Sequence, residues 1–173
     1  MSRILEDLRP FKAVIFDVDG VLSKTTIDMD ESGIPKRTVN VRDGYAIKQA
    51  TDQGLILGII TGGYSPSLPL RYNALGMTHV YMKASNKTEQ WEDFLQKTGL
   101  QPHEVIYVGD DIPDIPVMSR SGLAVAPADA APEVKAIAHY ISPVEGGMGV
   151  ARDVLEQLMK AKGLWLTGDA FGW

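Results

Sequence analysis

Apolar residues occur along this chain in short unbroken runs, and the polar stretches between them carry helix signals. Ala13 to Phe16, Val105 to Val108 and Leu123 to Ala126 are runs of strand length, and Leu55 to Ile60 is interrupted only by Gly58. Such runs, with no polar alternation, mark strands buried on both faces. His79 to Met82 and Tyr140-Ile141 are shorter members of the set. Between these strands, Asp43 precedes Tyr45 to Ala50 and Gly54 follows, an Asx N-cap and a glycine C-cap around a helix. Ser65-Pro66 opens a second helix that runs to Gly76, with Pro69 in its first turn, where a missing N–H does little harm. Asn86 with Glu89 resembles a capping box for a helix that carries Trp91, Phe94 and Leu95 on one face and closes at Gly99. A short helix after Asp114, one from Pro132 and one from about Val150 to Lys162 complete the series. The alternation predicts an α/β fold, a Rossmann-like three-layer α/β/α parallel sheet in a single domain over residues 1–173.

Two segments break the alternation. In residues 22–41, Thr25-Thr26-Ile27 and Thr38-Val39-Asn40-Val41 flank the turn-rich Asp30-Glu31-Ser32-Gly33-Ile34-Pro35, a pattern that predicts a β-hairpin flap. The tail, residues 163–173, lacks helical period yet holds Trp165, Leu166, Phe171 and Trp173, too aromatic for an ordinary disordered end, so it is expected to dock on something.

Composition narrows the chemistry. A net charge of −5 with dispersed basic residues argues against nucleic acid and anionic membrane as partners and leaves room for a small anionic substrate. With no cysteine and three histidines, disulfides and thiolate metal sites are excluded, and any metal is expected on oxygen ligands, which favour magnesium or manganese. His79, His103 and His139 stand singly, without a second ligand at metal spacing, and are read as structural or exposed. The apolar stretch after Glu6 and Asp7 is too short for a signal peptide or a membrane span, so the expected location is the cytoplasm.

Candidate chemistry gathers at the strand ends. Asp17 and Asp19 follow the first strand, Thr61 the second, Lys87 lies in the loop after the third, and Asp110, Asp111 and Asp114 follow the fourth. Parallel strands bring all these ends to one edge, where ligands of open α/β sheets bind. Read alone, Asp17 to Gly20 is equally a solvated Asp-Gly turn. Carboxylates crowded in one crevice repel one another, which a divalent cation neutralises. A cation, a hydroxyl and an ammonium group together suit a phosphoryl group, and the Asp-x-Asp spacing suits a nucleophile beside a proton donor.

Asp17-Val-Asp19-Gly-Val, Ile60-Thr61-Gly62, Lys87 and Gly109-Asp110-Asp111-x-x-Asp114 resemble, in order, the four motifs of haloacid dehalogenase-type phosphatases. Asn40-Val41-Arg42-Asp43-Gly44-Tyr45, Ser85-Asn86-Lys87, Ala128-Asp129-Ala130 and Gly146-Gly147-Met148-Gly149 extend the resemblance to the capless branch represented by the 3-deoxy-D-manno-octulosonate 8-phosphate phosphatases. The resemblance implies no cap domain, Asp17 as nucleophile, Asp19 as general acid and base, and Thr61 and Lys87 on the phosphate oxygens. It further implies Mg2+ (Mn2+ or Co2+ as substitutes) held by Asp17, the backbone carbonyl of Asp19, and Asp110, with Asp111 and Asp114 in support. Asp19, Asn40, Val41, Arg42, Asp43, Gly44, Lys48, Gly62, Arg71 and Lys87 match positions that line the substrate site. Lys48 and Arg71 are read equally well as solvated helix faces. The implied reaction is hydrolysis of a keto-deoxy sugar-acid phosphate in lipopolysaccharide sugar biosynthesis, by a homotetramer with flap and tail at its subunit interfaces.

Two departures bear on the substrate. Gly63 and Met148 stand where many octulosonate enzymes carry arginine, which keeps nine-carbon keto-acid phosphates open; Arg71 and Arg152 are candidate replacements. A receiver-like signalling domain is the alternative from another class, but its phospho-accepting Asp would follow the third strand, where this chain has Tyr81-Met82-Lys83. An inactive oligomeric scaffold is the third reading, disfavoured by a full set of catalytic residue types.

Overall fold

The computed structural model describes residues 3–168 and 170–172. Six parallel strands form one sheet: β1 (Ala13–Phe16), β2 (Ile56–Ile60), β3 (His79–Tyr81), β4 (Val105–Val108), β5 (Leu123–Ala126) and β6 (Tyr140–Ile141), in the order β3-β2-β1-β4-β5-β6. The helices between them are α1 (Val41–Asp52), α2 (Ser67–Ala74), α3 (Lys87–Thr98), α4 (Ile115–Met118), α5 (Pro132–Ile137) and α6 (Val150–Ala161).

The apolar runs form these strands because both faces of the sheet are covered. Successive side chains point to opposite faces. Val14 and Phe16 join Leu57, Ile59, Ile106 and Val108 under Ile47 and Ala50 of α1, Leu68 and Tyr72 of α2 and Leu155 and Leu158 of α6. Ala13 and Ile15 join Ile60, Tyr107 and Ala124 under Trp91 and Phe94 of α3, Met118 of α4 and Val134 of α5. Each such Leu, Ile or Phe withdrawn from water contributes about 1.5–3 kcal/mol, which is why the sheet is the rigid part of the molecule.

The strand order reverses beside β1. The chain first builds outward through β2 to β3, then crosses back to lay β4 on the other side of β1. The register pairs Phe16 with both Ile59 and Val108, so the chain leaves β1, β2 and β4 nearly level. A ligand crevice opens at such a switch point.

Three local expectations are corrected. The flap is a turn without the two flanking strands: Asp30 Oδ1 accepts from Ser32 N and Ile34 N (both 2.9 Å), and pairing stops at one bridge, Met29 to Pro35. Further down, hydroxyls replace the ladder, with Thr38 N donating to Ser23 Oγ (3.0 Å) and Lys24 N to Thr38 Oγ1 (3.2 Å). Helix α1 begins earlier than expected, because Asn40 and not Asp43 is its N-cap, its Oδ1 accepting from Arg42 N (2.9 Å) and Asp43 N (3.2 Å). Asp43 is drawn inward instead. Its Oδ1 accepts from Arg152 N (2.7 Å) in the first turn of α6, whose own N-cap, Gly149, has no side chain to offer. At Asn86, Oδ1 accepts from Thr88 N (3.3 Å), but Glu89 bonds the Asn86 side chain where a full capping box needs the backbone N–H.

The tail docks on its own chain. Trp165 meets Tyr45 edge to face at 6.0 Å, the Arg152 guanidinium lies 4.7 Å over Trp165, and Tyr45 Oη donates to the Ala170 carbonyl. Phe171 projects into solvent, and Trp173 lies outside the described residues. No helix among the described residues is long and apolar enough to cross a membrane.

Candidate active site

A cleft of about 460 Å³ lies at the switch point, lined by Asp17, Asp19, Thr25, Thr61, Gly62, Gly63, Ala84, Ser85, Lys87, Asp110, Asp111, Pro113 and Asp114. Asp17 is the first residue past β1, and its N–H still bonds Val108 O (2.9 Å), so the sheet itself fixes its backbone. Its Oδ1 accepts from Val18 N (2.7 Å), which leaves Oδ2 facing Lys87 Nζ at 3.1 Å. Thr61 is placed in the same way from β2, with its N–H on Tyr81 O (3.0 Å), and its Oγ1 accepts from Gly63 N (3.1 Å).

Lys87 reaches the cleft from the first turn of α3, its charge buried. Asp114 holds it: Asp114 Oδ1 accepts from Lys87 Nζ (2.7 Å) and Tyr107 Oη (2.8 Å), and Oδ2 from Asp110 N (3.1 Å) and Asp111 N (3.3 Å). The loop after β4 thus folds back on a carboxylate that is fully buried and fully bonded. Gly109 allows this approach, because a Cβ there would strike the Asp114 side chain.

Carboxylates outnumber the ammonium group, and the imbalance shifts the pKa values of the site. Burial, and next the charge of Asp114, push Asp17 up to about 7 against the pull of Lys87. Burial, then the charges of Asp17 and Asp114, push Asp110 up to about 8. Burial alone would lower Lys87, but the two carboxylates beside it outweigh that and raise it. Negative charge is left uncompensated where Asp17, Asp110 and Asp114 each bring an oxygen within 4.8 Å of the others. The bonds of Asp114 are already used, whereas buried Oδ1 of Asp110 has no partner among the described residues. The donor set therefore fits a hard divalent cation held mainly by Asp17 and Asp110.

The turn Gly20 to Lys24 leads into the loop that contributes Thr25 to the cleft. Gly146 and Gly147 press on this turn so closely that a Cβ on Gly146 would strike Gly20 O, and Gly147 N donates to Val21 O (2.8 Å). Asp129 ties the two together, accepting from Gly146 N (2.8 Å) and Thr25 Oγ1 (3.3 Å).

Of the residues expected from sequence, Asp17, Asp19, Thr61, Gly62, Lys87, Asp110, Asp111 and Asp114 come together here. The others do not. Asn40, Asp43, Gly44 and Arg71 line a separate crevice of about 10 Å³ beside Tyr72. Val41 and Arg42 border an open surface groove with Tyr45 and Arg152, and Lys48 pairs with Asp52 one turn along α1. Arg71 and Arg152 do not line the cleft either, so neither fills the place of a side chain at Gly63 within this chain. A residue not foreseen does: Arg37, from the flap, forks onto Asp19 with Nε to Oδ1 and Nη2 to Oδ2, both 2.7 Å. A basic residue beside Lys36 in a polar loop gave no signal of this.

Comparison with known proteins agrees with the geometry. A family model described as haloacid dehalogenase-like hydrolase matches residues 70–153. The chain is 42% identical over 152 residues to the 3-deoxy-D-manno-octulosonate 8-phosphate phosphatase KdsC of Escherichia coli K12, covering 88% of this chain and 81% of that protein. The crystal structure of the phosphatase of the same name from Yersinia pestis superposes with a TM-score of 0.89 at 37% identity, covering 93% of this chain and 87% of that one. The Moraxella catarrhalis enzyme, solved with a magnesium ion, a phosphate ion and a KDO molecule, superposes with a TM-score of 0.86 at 29% identity over 95% and 93% of the two chains.

Proposed function

The chain belongs to the haloacid dehalogenase-like hydrolase family, and from that premise we propose that it hydrolyses a keto-deoxy sugar-acid phosphate, 3-deoxy-D-manno-octulosonate 8-phosphate first among them. The observation that carries this reading is the Asp17–Lys87–Asp114 chain, with Oδ2 of a buried carboxylate 3.1 Å from an ammonium that a second buried carboxylate holds at 2.7 Å. Lys87 and Thr61 draw in the phosphate oxygens, and a carboxylate oxygen of Asp17 attacks phosphorus. The ester oxygen leaves with a proton from Asp19, and Asp17 carries the phosphoryl group as an acyl phosphate. Asp19 then takes a proton from the water that attacks this phosphorus, which frees phosphate, restores the Asp17 carboxylate and returns Asp19 to its acid form. The carboxylates of Asp17 and Asp110 with the backbone carbonyl of Asp19 would hold a magnesium ion, which would supply the positive charge that lets an anionic nucleophile approach an anionic phosphate. Manganese or cobalt would serve in the same oxygen set. Asp111 supports the site from its rim and Asp114 from below.

We also propose a homotetramer, in which residues of α1 outside the cleft, Val41, Arg42 and Lys48 among them, serve neighbouring copies. Exposed apolar side chains at Met29, Val39, Val41 and Phe171 support this. Phosphate release with magnesium across eight-carbon and nine-carbon keto-acid phosphates, with light scattering on the same samples, tests both. Release is expected from at least one substrate, with activity lowered by at least about 10⁴-fold in Asp17→Asn. No release from any would reject the reading, and a monodisperse, fully active monomer would reject the tetramer.

A further inference from the structure

The side chain missing at position 63 is replaced in space from another segment. A Cβ on Gly63 would collide with Nη2 of Arg37 and lie 3.2 Å from Asp19 Oδ2, so the guanidinium occupies the volume that any other residue would need. Besides its fork on Asp19, Arg37 donates Nη1–H to the Tyr64 carbonyl (3.3 Å), and its side chain is only 6% exposed although the flap supplies it. A plain structural ion pair would end the matter there.

Two features argue for more. The fork engages both oxygens of Asp19, the residue that has to trade a proton with the leaving group, so a substrate that reaches Asp19 also meets the Arg37 guanidinium. The cleft lining also carries five carboxylates against the single cation Lys87, which serves the phosphate end. A substrate with a second anionic group needs a further cation, and Arg37, though not part of that lining, is bonded to Asp19 and packed on Gly63, which are.

We propose that Arg37 determines specificity by binding the carboxylate of the substrate, supplying from the flap the guanidinium that position 63 lacks. This rests on the keto-acid phosphate reading above. On binding, Arg37 exchanges one bidentate carboxylate, that of Asp19, for another, that of the substrate. The exchange leaves its own bonding intact and frees Asp19 to act, so a phosphate ester without a carboxylate gains no such help.

Steady-state kinetics with magnesium, on the keto-acid phosphate that the protein prefers and on p-nitrophenyl phosphate, test this. For Arg37→Ala, KM for the keto-acid phosphate is expected to rise by about 10- to 100-fold, the loss of a charge-assisted fork. The loss in kcat/KM on that substrate should exceed the loss on p-nitrophenyl phosphate at least tenfold. Gly63→Arg is expected to impair the native chain by collision with Arg37, yet to restore part of the lost selectivity in the Arg37→Ala background. Arg37→Lys, which keeps the charge without the fork, should fall between and covers the case in which Arg37→Ala does not fold. Equal losses on both substrates, or no rescue by the second arginine, would overturn the role of Arg37 while the phosphatase reading stands. Turnover of p-nitrophenyl phosphate by the native chain with none of any keto-acid phosphate would overturn both the role of Arg37 and the keto-acid substrate, and would leave a phosphatase of another substrate class.

Discussion

The floor of the cleft and the loop that overhangs it are built by different means. The floor is continuous with the sheet: Asp17 and Thr61 extend strand pairing, and Asp114 binds Lys87, Tyr107 and two backbone N–H groups in one buried knot. The overhang, from Thr25 to Asn40, rests on an Asx turn, hydroxyl bonds of Thr25, Ser23 and Thr38 and the Arg37 fork, with Met29 67% exposed at its tip. Reaction chemistry tolerates little displacement, so it sits where many backbone bonds agree. Selection among substrates needs a part that yields, so it sits where a few side-chain bonds can be exchanged.

The largest expected effect lies in the floor. Asp114→Asn leaves Lys87 and Tyr107 without a charged buried acceptor, and urea unfolding should show a loss on the order of 3–5 kcal/mol. Initial rates should show kcat down at least about 10²-fold, because Lys87 loses its fixed position. A cost near that of a surface substitution would break the distinction between the two regions.

The join between them comes next. Burial pushes Asp43 up to about 6 from an ordinary 3.8, opposed by its bond from Arg152 N and the Arg152 charge. A carboxyl raised in the folded state contributes stability that is fully present below its unfolded value and is lost as pH rises through the folded one. The difference in unfolding free energy between the native chain and Asp43→Asn should therefore drift against the native chain by on the order of 2–3 kcal/mol from pH 4 to pH 7. A difference that stays flat with pH would mean that water reaches Asp43.

The smallest effect belongs to the overhang. Thr38→Val removes the hydroxyl that accepts from Lys24 N and meets Ser23 Oγ, keeps the backbone bond of position 38 to Ser23 Oγ, and should lower stability by only about 0.5–1 kcal/mol, while KM for the substrate changes more than kcat. A larger loss of stability than at Asp43 would show that the loop is part of the core.

What was legible in the sequence follows the same division. An apolar run that gives way to polar residues is a local pattern, so Asp17, Thr61 and Asp110 could be read, and the parallel sheet followed from the alternation of strands and helices. Arg37 could not, because its position depends on a missing Cβ at Gly63 in a distant segment. Asn40 and Asp43 are both capping residue types, and nothing local ranks them. The choice is made by α6, which starts at a glycine and needs an acceptor from outside. The flap turn at Asp30 was visible, but its flanking residues bond through hydroxyls and never reach a ladder.

That borrowed acceptor gives the chain an order of assembly. The first helix carries the carboxylate that the last helix requires, so in synthesis from the N-terminus the receiving group is in place before its donor has been made. The last helix then closes on the first as a clasp, with Trp165 of the tail packed on Tyr45.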